Sequence, residues 1–174
     1  MLQSLKKIML NCFLSLFLFG IFILIMSAKA IAQSSDFTGS WKLNKEQTDF
    51  GNVTEYSTPV RLIVAQKKDS IKIERILINE RQETHSNIEF LAINGGKSEI
   101  KLNERTQKTA SIAWASDGRS LTELATYIDN SVKMEYTGTE VWSLSAEGKT
   151  LVIAKSNELP GGKTYLRKMI YEKQ

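Results

Sequence analysis

Cysteine and histidine are nearly missing from this chain. The one cysteine among its 174 residues is Cys12, and the one histidine is His85. The part that follows the N-terminal apolar segment can therefore form no disulfide and no thiolate metal site. A multi-histidine metal site is excluded, and serine-histidine-carboxylate chemistry has one possible base. An excess of one charge is lacking too. Lys and Arg number 23 against 19 Asp and Glu, a formal net charge of +4. Yet Lys6, Lys7 and Lys29 lie in the first 32 residues, which hold no acid, so the other 142 residues carry 20 bases against 19 acids. That balance offers no electrostatic footprint for nucleic acid, and none is expected as a partner. No long apolar run recurs beyond residue 32, and no window sustains a helical period over three turns. Gly161-Gly162-Lys163-Thr164 superficially matches the end of a phosphate loop. It lacks the first glycine at the required spacing and precedes a β-favouring run rather than a helix, so no nucleotide site is read there and no cofactor is expected.

What is present begins with a leader. Residues 1–7 are a short basic stretch, and residues 8–26 are almost wholly apolar. Ala28-Lys29-Ala30-Ile31-Ala32 follows, with small residues at the alternate positions that signal peptidase accepts. Cleavage is expected after Ala32, with Ala30 as second choice, so residues 1–32 read as a signal peptide and 33–174 as one exported domain. Periplasmic or extracellular residence follows, with no membrane anchor after cleavage. The alternative is an uncleaved anchor, since the apolar stretch is just long enough to span a bilayer. A lipoprotein site would need its cysteine at the end of the apolar run, and Cys12 lies inside it. About 140 residues suffice for one domain with a core of its own.

The exported part reads as strands. Short β-favouring runs occur at 37–43, 60–66, 71–78, 82–84, 88–93, 99–102, 109–115, 121–127, 132–144, 151–155 and 164–171, separated by turn signals such as Asn94-Gly95-Gly96, Asp117-Gly118, Asp129-Asn130, Glu147-Gly148 and Pro160-Gly161-Gly162. One helical turn with Asn44 as its cap is expected at 45–49. From Val132 the alternation is clearest: Val132, Met134, Tyr136, Gly138, Glu140, Trp142 and Leu144 share one face, and the other face is wet. Two stretches, Trp114 to Leu121 and Trp142 to Leu151, echo each other in tryptophan, acid-glycine and leucine. A propeller needs at least four blades of about 40 residues, so the echo reads as two similar hairpins. Nine or ten strands in one such domain point to a closed barrel or a sandwich. The fold class expected is all-β, a single antiparallel up-and-down barrel of eight to ten strands.

Phe37-Thr38-Gly39-Ser40-Trp41 carries Gly-x-Trp on the first strand, and Tyr165-Leu166-Arg167-Lys168-Met169 places an arginine on the last. This resembles the lipocalins and the wider calycin group, and the pattern from Gly39 to Asn44 and from Glu140 to Ser145 is similar to uncharacterised exported bacterial lipocalin-like proteins. The resemblance implies that Trp41 plugs the closed end, with Gly39 beside it, and that Arg167 packs across the indole. The chain departs from many secreted lipocalins in lacking a disulfide and a C-terminal helix.

Charged residues on apolar strand faces are the candidates for a site. Arg75 shares a face with Ile71, Ile73 and Leu77, Glu140 with Tyr136, Trp142 and Leu144, and Arg167 with Tyr165, Met169 and Tyr171. A charge aimed into a barrel must be paired, hydrated or engaged by a ligand. One reading has Arg75 or Arg167 gripping a ligand carboxylate. The other has a structural pair with Glu140, or Arg167 stacked on Trp41. Arg75 faces outward instead if Ile76 and Ile78 are the buried residues of their run. Ligand-binding candidates are Arg75, Tyr136, Glu140, Trp114 and Trp142, and the closure candidates are Gly39, Trp41 and Arg167. His85 reads as a solvated loop residue, since no nucleophile motif accompanies it. The expected function is carriage of a small apolar or amphipathic ligand by a monomer, not catalysis. The alternative is an extracytoplasmic interaction module whose barrel is packed solid by Trp41, Trp114, Trp142 and Phe90. Cavity volume separates the two.

Overall fold

The computed structural model describes residues 34–93 and 95–174, and the leader with its expected cleavage site lies outside the described residues. Ten strands are formed: β1 (Gly39–Leu43), β2 (Arg61–Gln66), β3 (Ser70–Ile78), β4 (Thr84–Ala92), β5 (Ser98–Lys101), β6 (Thr106–Trp114), β7 (Ser120–Asp129), β8 (Met134–Leu144), β9 (Thr150–Glu158) and β10 (Thr164–Lys173). They make one antiparallel sheet in the order β4-β3-β2-β1-β10-β9-β8-β7-β6-β5. Sequence neighbours thus pair everywhere except between β4 and β5, and the first strand also pairs with the last, Trp41 opposite Lys173 and Leu43 opposite Tyr171. The result is an up-and-down barrel that is nearly closed. At the seam between β4 and β5, the Ala92 N–H donates to Ser98 Oγ at 3.0 Å. Among the described residues no helix is long and apolar enough to cross a membrane.

Side-chain alternation dictates this build. On β7, Leu121, Glu123, Ala125 and Tyr127 are buried while Leu124 and Ile128 face out. A one-residue slip would turn that whole set to solvent, which is what holds the register. The interior is packed by Trp41, Leu62, Ile71, Ile73, Leu91, Ile112, Leu121, Trp142, Leu151 and Ile153, each large apolar side chain contributing about 1.5–3 kcal/mol on burial. An aromatic cluster forms where the chain enters the barrel. Phe37 stacks on Trp114 (5.6 Å between centroids, 8° between planes) and meets Trp142 edge-on (5.7 Å, 82°). Trp41 is fully buried, and its Nε1 donates to the Phe37 carbonyl at 2.9 Å.

Several expectations change. The runs at 82–84 and 88–93 are parts of one strand, because Ser86 and Asn87 continue the ladder opposite Ile76 and Arg75. Strand β8 begins at Met134, not Val132: Lys133 has a left-handed φ of 51°, which ends the turn and leaves Val132 exposed. Residues 45–47 form a hydrogen-bonded turn rather than a helical one. Asn44 still caps it, accepting the Gln47 N–H at 3.1 Å, but Asp49 is already bridged to Lys168 of β10. Phe90 is 63% exposed on the outer face and closes no core. The two echoing hairpins each carry glycine at a left-handed φ, 68° at Gly118 and 65° at Gly148.

Candidate functional site

Arg75 points inward. Its run places Ile71, Ile73 and Arg75 on the buried face and Lys72 on the exposed one. Leu62 lies opposite Arg75, as it lies opposite Trp41 on the other side. A guanidinium there is removed from water, and the barrel supplies three carboxylates around it. Arg75 Nε donates to Glu89 Oε1 at 2.8 Å and Nη2 to Glu140 Oε2 at 2.9 Å, with Glu123 Oε2 3.7 Å away. Lys108 Nζ lies 2.6 Å from both Glu89 Oε2 and Glu123 Oε1. Lys155 Nζ donates to Glu140 Oε1 at 2.8 Å and approaches the Tyr127 hydroxyl at 3.4 Å. Trp142 Nε1 donates to Glu140 Oε2 at 3.1 Å, and Arg75 Cζ lies 5.7 Å from the Trp142 ring. Buried charges persist only when paired and hydrogen-bonded, and Glu89 and Glu140 meet both conditions.

The groups differ in how well they are served. Burial opposes charge on Glu140, but Arg75, Lys155 and Lys108 outweigh it and hold the carboxylate well below the usual range. Glu89 is likewise lowered: burial is overcome by Arg75 and Lys108. Burial works against the cations too, but Glu140, Glu89 and Glu123 keep Arg75 protonated well above its ordinary range, and Glu123 and Glu89 raise Lys108. Glu123 is the exception. Burial and the facing Glu140 raise it, more than Lys108 and Arg75 lower it. Both its oxygens lack a hydrogen bond, because Lys108 is near but misaligned.

The register shows why. Glu123 of β7 faces Glu140 of β8, Glu140 faces Lys155 of β9, and Lys155 faces Arg167 of β10. Across four strands the signs run negative, negative, positive, positive. Arg167 is half-buried at the end of that rung and forms no ion pair among the described residues. Its Nη1 donates to the Ser57 carbonyl (2.9 Å), Ser57 Oγ (3.1 Å) and Thr58 Oγ1 (3.2 Å). Burial lowers its pKa, and Glu140 only partly offsets this. A cavity of about 170 Å³ opens above the network, lined by Arg75, Glu89, Lys108, Glu140, Lys155 and Arg167 and by Tyr127, Leu77, Leu102 and Met169. Among the described residues no cluster of His, Cys, Asp and Glu is arranged to hold a metal ion.

Of the residues singled out from the sequence, Arg75, Glu140 and Trp142 come together. Trp114 packs on Phe37 instead, and half-buried Tyr136 stacks on Tyr127 (4.8 Å, 6°). Neither they nor Trp142 line the cavity. The cation on Trp41 is Lys173, not Arg167. Lys173 Nζ sits 5.3 Å from the indole, directly opposite in the register, while Arg167 is held by Ser57 and Thr58. Gly39 serves that contact. Its φ of 147° suits glycine, and a Cβ there would meet Lys173 Cε at 2.9 Å. His85 is exposed, on β4 rather than in a loop. Glu89, Lys108, Glu123, Lys155 and Tyr127 belong to the site and escaped the sequence reading. The signal that marks Arg75 marks four of them as well. Glu89 alternates with Leu91, Lys108 with Ala110 and Ile112, Glu123 with Leu121 and Ala125, and Lys155 with Ile153.

No family model matches the chain, and no curated protein and no solved structure matches it either.

Proposed function

We propose that this is an exported, lipocalin-like binding barrel that carries one small amphipathic molecule in its interior. The observation that carries the reading is the cavity of about 170 Å³, which joins charged and apolar walls within one barrel. Its size narrows the expected ligand. Pockets for drug-sized molecules measure roughly 300–1,000 Å³, whereas about 150 Å³ admits a benzene-sized guest. A long apolar chain does not fit, since Trp41, Trp142, Leu62 and Leu121 fill the remaining interior. Carriage suits the chemistry better than catalysis. Glu89 and Glu140 are already neutralised by cations and make poor general bases.

A second reading, a protein-interaction module, is favoured by the outer face of β2, β3 and β4. Ile63 and Ile88 flank Glu74 in one row, and Phe90 stands beside Lys72 in another, all three apolar residues being exposed. Native mass spectrometry of the protein purified from its own host separates the two. Carriage predicts a co-purifying small molecule that is released on unfolding. A ligand-free mass together with a stoichiometric protein partner supports the module and overturns carriage.

A further inference from the structure

The interior network is one anion short. Arg75, Lys108, Lys155 and Arg167 face Glu89, Glu123 and Glu140, which leaves one positive charge without a counter-charge among the described residues. The deficit is local. Lys155 and Arg167 stand directly opposite each other on β9 and β10, a like-charge pair that destabilises a sheet unless something negative lies between. Glu140 answers Lys155 at 2.8 Å and is shared with Arg75, so among the described residues no carboxylate pairs directly with Arg167. The three Arg167 side-chain hydrogen bonds all use Nη1, to uncharged oxygens, which leaves Nε and Nη2 as donors. Lys155 has three N–H donors and uses two, toward Glu140 and Tyr127. Both side chains line the cavity, whose lining also includes the apolar Leu77, Leu102 and Met169.

We propose that the cavity takes a small monocarboxylate, its carboxylate held between Arg167 and Lys155 and its short apolar tail against Leu77, Leu102 and Met169. The proposal rests on the carriage reading and names its ligand class. A monoanion cancels the single unmatched charge, whereas a dianion such as hydrogenphosphate would replace a positive excess with a negative one. An uncharged or cationic guest of the same size would leave Arg167 and Lys155 in repulsion. The guanidinium suits the role because its planar donors match both oxygens of a carboxylate. Leu77, Leu102 and Met169 offer an alkyl tail an apolar contact that a bare inorganic anion does not make.

The test uses the purified full chain, with calorimetric titration and thermal unfolding in butyrate, hexanoate, butyramide, butylammonium and inorganic phosphate. Butyrate or hexanoate should bind at one site and raise Tm saturably, and the other three should not. Arg167→Met, which keeps the packing stem, should weaken carboxylate binding at least tenfold, while Arg167→Lys retains part of it. Lys168→Met, on the outer face, should leave it unchanged. If Arg167→Met does not fold, Leu77→Trp fills the cavity and should abolish binding by another route. Equal binding of butyramide and butyrate overturns the carboxylate proposal and leaves carriage standing, as does binding of phosphate or butylammonium alone. Carboxylate binding that survives both variants also overturns it. No response to any probe, with no ligand in the native mass spectrum, fells both the proposal and the carriage reading.

Discussion

Replacing Glu140 by glutamine removes one negative charge from the centre of the barrel and almost nothing of its shape. The carboxylate accepts from Arg75 Nη2 at 2.9 Å, Lys155 Nζ at 2.8 Å and Trp142 Nε1 at 3.1 Å. After Glu140→Gln, Arg75 still has Glu89 at 2.8 Å. Among the described residues Lys155 has no other carboxylate within ion-pair reach, and it faces Arg167. Breaking a buried pair from one side costs about 3–5 kcal/mol. The Lys155 side chain is 13% exposed and recovers some hydration, which places the loss near the lower end, about 3 kcal/mol. For a domain with a stability of about 5–15 kcal/mol this is a large share, and it corresponds to a fall in Tm on the order of 10 °C. Urea unfolding at pH 7 followed by tryptophan fluorescence reads it. Adding Lys155→Met removes the stranded cation and should return at least about 1 kcal/mol. The pH dependence supplies a second reading. A carboxylate whose folded pKa is depressed stabilises above its unfolded pKa and loses that contribution as pH falls through the folded value. Glu140 is of this kind, so the gap between wild type and Glu140→Gln should close as the pH drops below about 4, near the unfolded value. Glu123 is raised, and its ionisation destabilises the fold at neutral pH until protonation relieves it. Glu123→Gln should therefore cost less than Glu140→Gln at pH 7. A loss below about 1 kcal/mol for Glu140→Gln, the scale of surface changes, or no recovery with Lys155→Met, would refute the argument that Glu140 holds the network together.

Further outcomes follow from the aromatic end. Trp41→Ala should cost roughly 3–5 kcal/mol, because a fully buried indole and its hydrogen bond to Phe37 are lost. Chemical denaturation measures this, and a loss below about 1 kcal/mol would mean that the indole is not buried. In double-mutant cycles, Lys173→Ala with Trp41→Phe should show coupling of about 0.5 kcal/mol, as an exposed cation on a ring gives. Arg167→Ala with Trp41→Phe should be additive within about 0.5 kcal/mol, and strong coupling there would restore Arg167 to the indole. Gly39→Ala should cost roughly 1–3 kcal/mol through its positive φ, whereas an unchanged unfolding midpoint would show that the backbone relaxes.

The class of fold was legible because it depends on a local, repeating property. Period-two alternation, glycine at the turns and the absence of any helical period are all written in short windows, and they suffice for antiparallel strands joined by hairpins. The strand count and the inward face of β8 followed from the same signals. Boundaries failed where one backbone angle decided them, as at Lys133, whose left-handed φ no composition announces. Part of the site was legible for the same local reason: a charge on an apolar face marks Arg75 and Glu140, and would have marked Glu89, Lys108, Glu123 and Lys155. What a strand read alone does not contain is which strand lies opposite and in what register. Register alone puts Glu123 against Glu140 and Lys155 against Arg167, and barrel closure alone brings Arg75 of β3 within 2.9 Å of Glu140 of β8. The same long-range geometry gave the Trp41 indole to Lys173, because β1 and β10 pair with those two residues opposite. Side-chain pattern is a property of the segment and is decided by sequence, while the sign of a residue's neighbour is a property of the closed sheet and is decided only when the barrel forms.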